Sequence, residues 1–362
     1  MNKIEEMIKQ LCPNGVEWKK LGEVCKVLRG KRLTKSQLTE SGKYKVYHGG
    51  IEPIGFYGEM NRNANTVMVI NVGASAGSVS FSKEDFWSSD GCYCISQTEY
   101  INSRFLYYYF LSIEYVITTK VRHAGIPTLD SKVIEDLLIP LPTLPIQTEI
   151  VRILDKFVEQ QEQLERLIEL RKKQYEYYRE EMLKPKEGEV WETKRLGEIC
   201  TITRGKRLTK SQLSETAKYK VYHGGIDPIG YYKECNRKAD TVMVINVGAS
   251  AGTIGYSNED FWSSDGCFCL SHTDIALSRF LYYSLLEVGY IIESRVRHAG
   301  IPTLDSKVLE ELMINIPSKQ KQNTIINSLK EFESSISALS SALEASKRRY
   351  EYYRDEMMNF LN

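Results

Sequence analysis

The residues best suited to chemistry in this sequence are basic, and they come in two sets. RGKRLTKSQL occupies Arg29–Leu38 and again Arg204–Leu213. From Lys26 to Lys45 seven basic residues stand against one acid, Glu40. From Thr201 to Lys220 six stand against Glu215. Such local excesses suit phosphates. Arg29, Lys31, Arg32, Lys35 and Lys45 are the candidates in the first copy, and Arg204, Lys206, Arg207, Lys210 and Lys220 in the second. Tyr47 with His48, and Tyr222 with His223, follow directly and offer groups that stack on bases or hydrogen-bond to their edges. A solvated charged loop is the plain alternative, but a patch repeated almost unchanged favours nucleic acid. RHAGIPTLDS, starting at Arg122 and at Arg297, adds a turn that carries Arg122, His123, Arg297 and His298 outward. The same stretch could simply be a structural turn capping the next helix.

Other motifs lead away from catalysis. NVGASAG after a strand lacks the spacing and the lysine of a nucleotide-binding loop. Cys92 and Cys94, like Cys267 and Cys269, sit two apart in strand-like runs without clustered histidines, so they read as small core residues and no metal site is expected. There is no glycine-rich S-adenosylmethionine loop and no N-P-P-Y/F or D-P-P-Y tetrapeptide to hold a flipped adenine. No nucleophile–base set or carboxylate pair stands out, and no catalytic residue is assigned.

The elements that must position these residues also repeat, at a constant offset of 175. KYKVYHGGI, TVMVINVGASAG and EDFWSSDGC all recur in register, as do the two basic stretches. A period this long marks a duplicated domain and not a solenoid. TVMVI, VSFS, CYCIS and CFCLS read as strands. Phe105–Ile117 and Phe280–Ile292 read as buried helices, and the prolines of LLIPLPTLP fix an extended connector. Leu183–Gly197 reads as a polar linker between the copies, and MNKIEEMIKQL as a short amphipathic helix.

A long helix closes each copy. From Ile150 to Met182, steps of three and four give Leu154, Phe157, Leu164, Ile168, Tyr175 and Tyr178, with Gln161 and Arg171 completing the series. Leu329, Phe332, Ile336, Leu339, Leu343, Tyr350 and Tyr353 form the matching seam. This heptad pattern predicts rods about 50 Å long, each needing a partner stripe. The expected class is α+β: two mixed domains, each followed by a long helix, with the helices paired as an antiparallel coiled coil. The boundaries read as residues 1–145 and 184–320 for the domains, with 146–183 and 321–362 for the helices.

Composition is that of an ordinary globular protein, with 362 residues, 42% apolar, 26% charged and a net charge of +1. No window is apolar enough for a membrane span, so no membrane partner is expected. Eight cysteines without scaffold spacing suggest a reducing, cytoplasmic setting.

The order of domain, proline-rich connector, long helix, second domain and second helix resembles the specificity subunit of type I restriction–modification systems. CPNGVEWKKLGEV at Cys12–Val24 is similar to that family's domain-opening segment, and IPLPTLPIQTEIVRILD at Ile139–Asp155 to its connector-to-helix signature. The second connector, NIPSKQKQNTIINSL, departs by losing two prolines. The resemblance covers essentially the whole chain. It implies two target recognition domains that read the halves of a bipartite site on double-stranded DNA, with the helices as spacer and docking surface. It further implies a bacterial or archaeal origin and two methyltransferase subunits, which bring S-adenosylmethionine and methylate adenine N6. Two motor–nuclease subunits, using ATP and magnesium, can join them. The chain itself would hold no cofactor and catalyse nothing.

Family members usually carry unlike domains; here the candidate readers are duplicated, so matching, inverted half-sites are expected. Gly58/Lys233, Asn63/Lys238, Asn65/Asp240 and Gln97/His272 are the differences that could break the symmetry. A self-contained methyltransferase or nuclease, and a coiled-coil scaffold whose domains bind protein, are the competing readings.

Overall fold

Thr66–Ile70 (TVMVI) is buried on both faces, which explains why it is apolar without alternation. Val67 and Val69 face the main core, while Met68 joins Phe86 and Cys94 in a smaller cluster behind. The structure, a computed structural model, describes residues 2–359 and 361. It divides into two compact units, Met1–Glu165 with Ser341–Asn362, and Arg166–Ser340.

The first unit runs α1 (Asn2–Leu11), β1 (Glu17–Lys20), α2 (Leu21–Val24), β2 (Val27–Arg29), β3 (Tyr44–Tyr47), β4 (Gly55–Tyr57), β5 (Thr66–Ile70), β6 (Val79–Ser82), β7 (Phe86–Ser88) and β8 (Cys92–Ile95). Then come α3 (Ser103–Ser112), α4 (Glu114–Thr118), α5 (Ser131–Glu135), β9 (Leu138–Leu141) and the first part of α6 (Leu144–Met182). An antiparallel sheet has the order β2-β8-β5-β6. A second sheet, β4-β3-β7, contains one parallel pair, β3 with β7. β1 pairs antiparallel with β9. Phe105, Leu106 and Phe110 of α3 share the core with Ile146, Ile150 and Leu154 of α6.

The second unit repeats this order after the last part of α6. It contains β10 (Glu192–Arg195), α7 (Leu196–Ile199), β11 (Ile202–Arg204), β12 (Tyr219–Tyr222), β13 (Gly230–Tyr232), β14 (Thr241–Ile245), β15 (Ile254–Ser257), β16 (Trp262–Ser263) and β17 (Cys267–Leu270). α8 (Ser278–Glu287), α9 (Gly289–Ser294), α10 (Ser306–Glu310), β18 (Met313–Ile316) and the first part of α11 (Lys319–Asn359) complete it. Its sheets, β11-β17-β14-β15 and β13-β12-β16, have the same topology.

Three expectations are corrected. The helix expected over Phe105–Ile117 breaks at Ile113 (φ −110°, ψ 11°), and just beyond the break the Glu114 carboxylate accepts the Val79 N–H at 2.8 Å, tying α4 to β6. The break recurs at Val288, ahead of Gly289, and α4 is only partly buried: Tyr115 is 81% exposed. The linker expected over Leu183–Gly197 is shorter, since Glu192–Arg195 forms β10 against β18. The first rod begins at Leu144, two residues ahead of the expected boundary at 146, with Pro145 in its opening turn, where a missing N–H costs nothing.

Two side-chain devices fasten each domain to the helix that follows it. Gln147 is wholly buried; its Oε1 accepts the Asn102 N–H at 2.7 Å, and its Nε2 donates to the carbonyls of Pro142 (2.8 Å) and Tyr100 (3.2 Å). Gln322 does the same for Leu277, Pro317 and Ile275. On α3, Arg104 Nε donates to Asp155 of α6 at 2.9 Å, and the Tyr108 hydroxyl donates to the same carboxylate. The guanidinium also covers the rings of Phe81, Tyr107 and Tyr108 at 4.9–5.1 Å. In the second unit Arg279 covers Tyr256 and Tyr282 but pairs with Glu333 of α11, because Lys330 stands at the repeat position of Asp155.

The two long helices run antiparallel. In the first unit Phe157 lies 5.5 Å from Tyr353, and Lys347 pairs with Glu165 at 3.3 Å. In the second, Tyr178 stacks on Phe332 at 5.4 Å beneath the Arg171 guanidinium. Leu154, Ile168, Leu329 and Leu343 are buried in the seam. Leu164, Tyr175, Ile336, Leu339 and Tyr350 are half-buried, and Tyr178 keeps an exposed edge.

Arg104→Ala removes the cation that pairs with Asp155 and covers three aromatic rings. The variant is expected to lose about 1.5–3 kcal/mol, read as a lower urea midpoint of the first unit.

Candidate nucleic-acid interface

The basic stretch after β2 is held by a glycine. A Cβ on Gly30 would lie 2.0 Å from the Ser89 carbonyl oxygen and 2.3 Å from that of Ser88, so no other residue lets the chain cross the β7–β8 turn here. The crossing is stitched by Lys31 N–H to Ser88 O at 2.9 Å and by Trp87 Nε1 to Lys31 O at 2.8 Å. Arg62, which the sequence reading passed over, donates from a terminal nitrogen to Arg29 O at 3.0 Å. A second glycine seats the histidine: a Cβ on Gly91 would be 2.7 Å from His48 Nδ1.

Between these glycines stands Asp90. Its carbonyl accepts Arg29 Nε and Asn71 Nδ2, both at 3.2 Å, and its Oδ1 accepts the Ser89 hydroxyl at 3.2 Å. His48 Nδ1 faces the same oxygen at 3.3 Å. The result is an open cleft of about 520 Å³ whose walls include Arg29, Arg32, His48 and Arg122. Arg122 comes from the loop between α4 and α5. It is held there by reciprocal backbone bonds with Thr128, and its guanidinium is 3.7 Å from Asp130. Positions 29, 32, 48 and 122, up to 93 residues apart, are thus brought to one concavity.

The second unit builds the same site. Gly205 and Gly266 face equal crowding, Arg204 Nε donates to Asp265 O at 2.7 Å, and His223 Nδ1 is 3.4 Å from Asp265 Oδ1. Arg297 pairs with Asp305 at 3.1 Å across a cleft of about 480 Å³. Of the twelve residues around the first cleft, only Tyr93 has a different counterpart, Phe268.

The remaining candidates divide. Lys31, Arg32, Lys35, Lys206, Arg207 and Lys210 are exposed on the basic stretches, and His123 and His298 lie exposed on their loops. Lys45 and Lys220 are engaged by Glu84 (3.0 Å) and Glu259 (3.4 Å), and the Glu84 carboxylate raises the pKa of Lys45. Tyr47 and Tyr222 are corrections. Their rings turn inward, edge-on to Phe86 and Phe261 at 5.5 Å, because β3 and β12 must close the small rear clusters. Burial raises the pKa of both phenols, and neither ring is offered to a base.

None of the four symmetry-breaking differences lines a cleft. Gln97 Nε2 donates to the Ala64 and Asn65 carbonyls, and His272 bonds the Asp240 carbonyl. Asn65 and Asp240 adopt left-handed turns, and Lys238 pairs with Asp260. The sequence reading also passed over Asp90 and Asn71; the repeated Asp-Gly of EDFWSSDGC was the available signal for the first. Burial pushes the thiols of Cys92 and Cys267 up to about 12, so they stay protonated. No group of three or more metal-ligating side chains occurs among the described residues.

A duplicated α+β domain on paired antiparallel helices, each copy presenting an arginine-lined cleft, defines a tandem-domain protein with two like surfaces. The sequence profile of the type I restriction modification DNA specificity domain matches residues 13–172 and again 188–346, and the chain belongs to that family. It is 28% identical over 380 residues to a Haemophilus influenzae type I restriction enzyme specificity subunit, covering 95% of this chain and 96% of that one. A Mycoplasma pneumoniae type I specificity subunit is 26% identical over 316 residues, covering 82% and 83%. The fold is similar to the crystal structure of the type I restriction–modification S subunit from M. genitalium. That match has a TM-score of 0.71 at 23% identity, over 95% of this chain and 96% of that one.

Gly30→Ala is expected to cost about 1–3 kcal/mol through overlap with fixed carbonyls. Gly50→Ala, with nothing within 4 Å, should leave the urea midpoint unchanged apart from ordinary backbone effects.

Proposed function

We propose that this chain is the non-catalytic DNA-reading subunit of a type I restriction–modification complex. It reads a bipartite, near-palindromic site with its two clefts and docks two methyltransferase subunits on its helices. The observation that carries this reading is the pair of clefts: Arg204, Asn246, Arg297 and Asp305 line the second as Arg29, Asn71, Arg122 and Asp130 line the first. Arg29, Lys31, Arg32, Lys35 and their counterparts meet phosphates, and Arg122, Arg297, His48 and His223 face the groove. Matching readers require matching half-sites, and the family resemblance makes those halves inverted. The methyltransferase partners supply S-adenosylmethionine and the adenine-N6 transfer. Two motor–nuclease subunits with ATP and magnesium complete a restricting complex. The setting is the cytoplasm of a bacterium or archaeon.

The test is co-expression with the cognate methyltransferase subunit and single-molecule mapping of N6-methyladenine. Two inverted, matching halves around an unread gap are the expected result. Unlike halves would sink the symmetry argument, and the absence of any motif would sink the function. Binding to duplex DNA is also expected to weaken at least about 100-fold between 50 and 200 mM salt. A protein-binding scaffold with an apolar interface would show almost no such dependence.

A further inference from the structure

Asp90 is the wrong charge for its place. It sits in a cleft walled by Arg29, Arg32, His48 and Arg122, the side chains that would meet a phosphate backbone. A carboxylate facing a phosphate would repel it and weaken DNA binding. The position is nevertheless built with care, and built twice. The main chain of Asp90 is tied to Arg29 and Asn71, and the Ser89 hydroxyl fixes the Oδ1 oxygen, which lies 3.3 Å from His48 Nδ1. The Oδ2 oxygen makes no hydrogen bond or ion pair among the described residues, and the side chain is 28% exposed. Asp265 repeats most of these features: its carbonyl accepts Arg204 Nε at 2.7 Å, Ser264 Oγ donates to Oδ1 at 3.1 Å, His223 faces it at 3.4 Å, and the exposure is again 28%. Asn71, which lines the same cleft, and Asn246, which lines the second, each carry a buried Oδ1 acceptor without a partner.

A fixed carboxylate with a free oxygen, among cations that hold the backbone around it, matches one feature of a DNA duplex. That feature is the exocyclic amino group that cytosine N4 or adenine N6 presents in the major groove. We propose that Asp90 and Asp265 are specificity-determining residues, each accepting a hydrogen bond from a base amino group at one position of its half-site. The inference rests on the DNA-reading function proposed above. The surrounding arginines offset the charge, and the rigid Asp-Gly turn limits the reorganisation on binding. A base that presents a carbonyl oxygen there, thymine or guanine, is rejected because two acceptors face each other.

The experiment maps methylated motifs for the wild-type complex and for complexes carrying Asp90→Ala with Asp265→Ala. Asp90→Asn with Asp265→Asn is the second variant; it keeps the side-chain shape at the turn but adds an amide donor. The expected result is relaxation at a single position in each half, where thymine or guanine becomes accepted, with discrimination falling about 10–100-fold. The identity of the wild-type base at that position separates cytosine from adenine. Should the alanine pair fail to fold, the asparagine pair alone decides, since its amide admits a carbonyl-bearing base. A motif unchanged in a folded variant would overturn the assignment and leave the function standing. So would tighter binding to every sequence alike, which would mean that the carboxylates only repel phosphate. A wild-type complex with no motif at all would overturn both.

Discussion

An arginine couples the packing of each domain to the helix that follows it. Arg104 and Arg279 leave the surface of α3 and α8 to sit over aromatic rings, where a guanidinium without a carboxylate would be costly. The carboxylate must come from the helix that follows the domain, so satisfying the charge also fixes the domain on its rod. The two units meet this requirement with different residues. Asp155 serves the first, and Glu333, three residues beyond the repeat position, serves the second. Three residues is close to one helical turn, so the acid returns to the same face of the rod.

The clefts obey a similar economy. Three of the cations that could meet DNA are already steered by a nearby acceptor: Arg29 by a carbonyl, Arg122 by Asp130, and Lys45 by Glu84. These pairs lie at the surface and are individually weak. A phosphate can therefore replace the protein's own acid at little cost, and side chains already oriented lose less entropy on binding. Gly30 and Gly91 supply the rigidity behind this arrangement by letting backbone touch backbone where a methyl group cannot fit.

Much of the architecture was legible because repetition is a property of the string itself. The offset of 175, the uninterrupted TVMVI strand and the heptad seam each follow from local periodicity, and the strands and rods formed where that periodicity lay. Tyr47 and Tyr222 misled because a tyrosine beside a basic loop has two uses, and local sequence does not say which way β3 faces. The break at Ile113 misled because the apolar run FLYYYFLSIEYVI continues across it with no proline or glycine to mark it. Gln147 carries no periodic signal at all. Its role exists only once the connector, the loop before α3 and the helix start converge.

The sequence by itself determined that there are two like domains, where the basic residues cluster, and which stripe of each long helix is apolar. Those features depend on neighbours within a turn or a strand. Only the tertiary structure decided which of the basic residues share a concavity and that an aspartate lies among them. It alone showed that the four conspicuous sequence differences fall outside the clefts. Each of these depends on segments tens of residues apart meeting at distances near 3 Å, and chain order holds no record of such meetings until the core has packed.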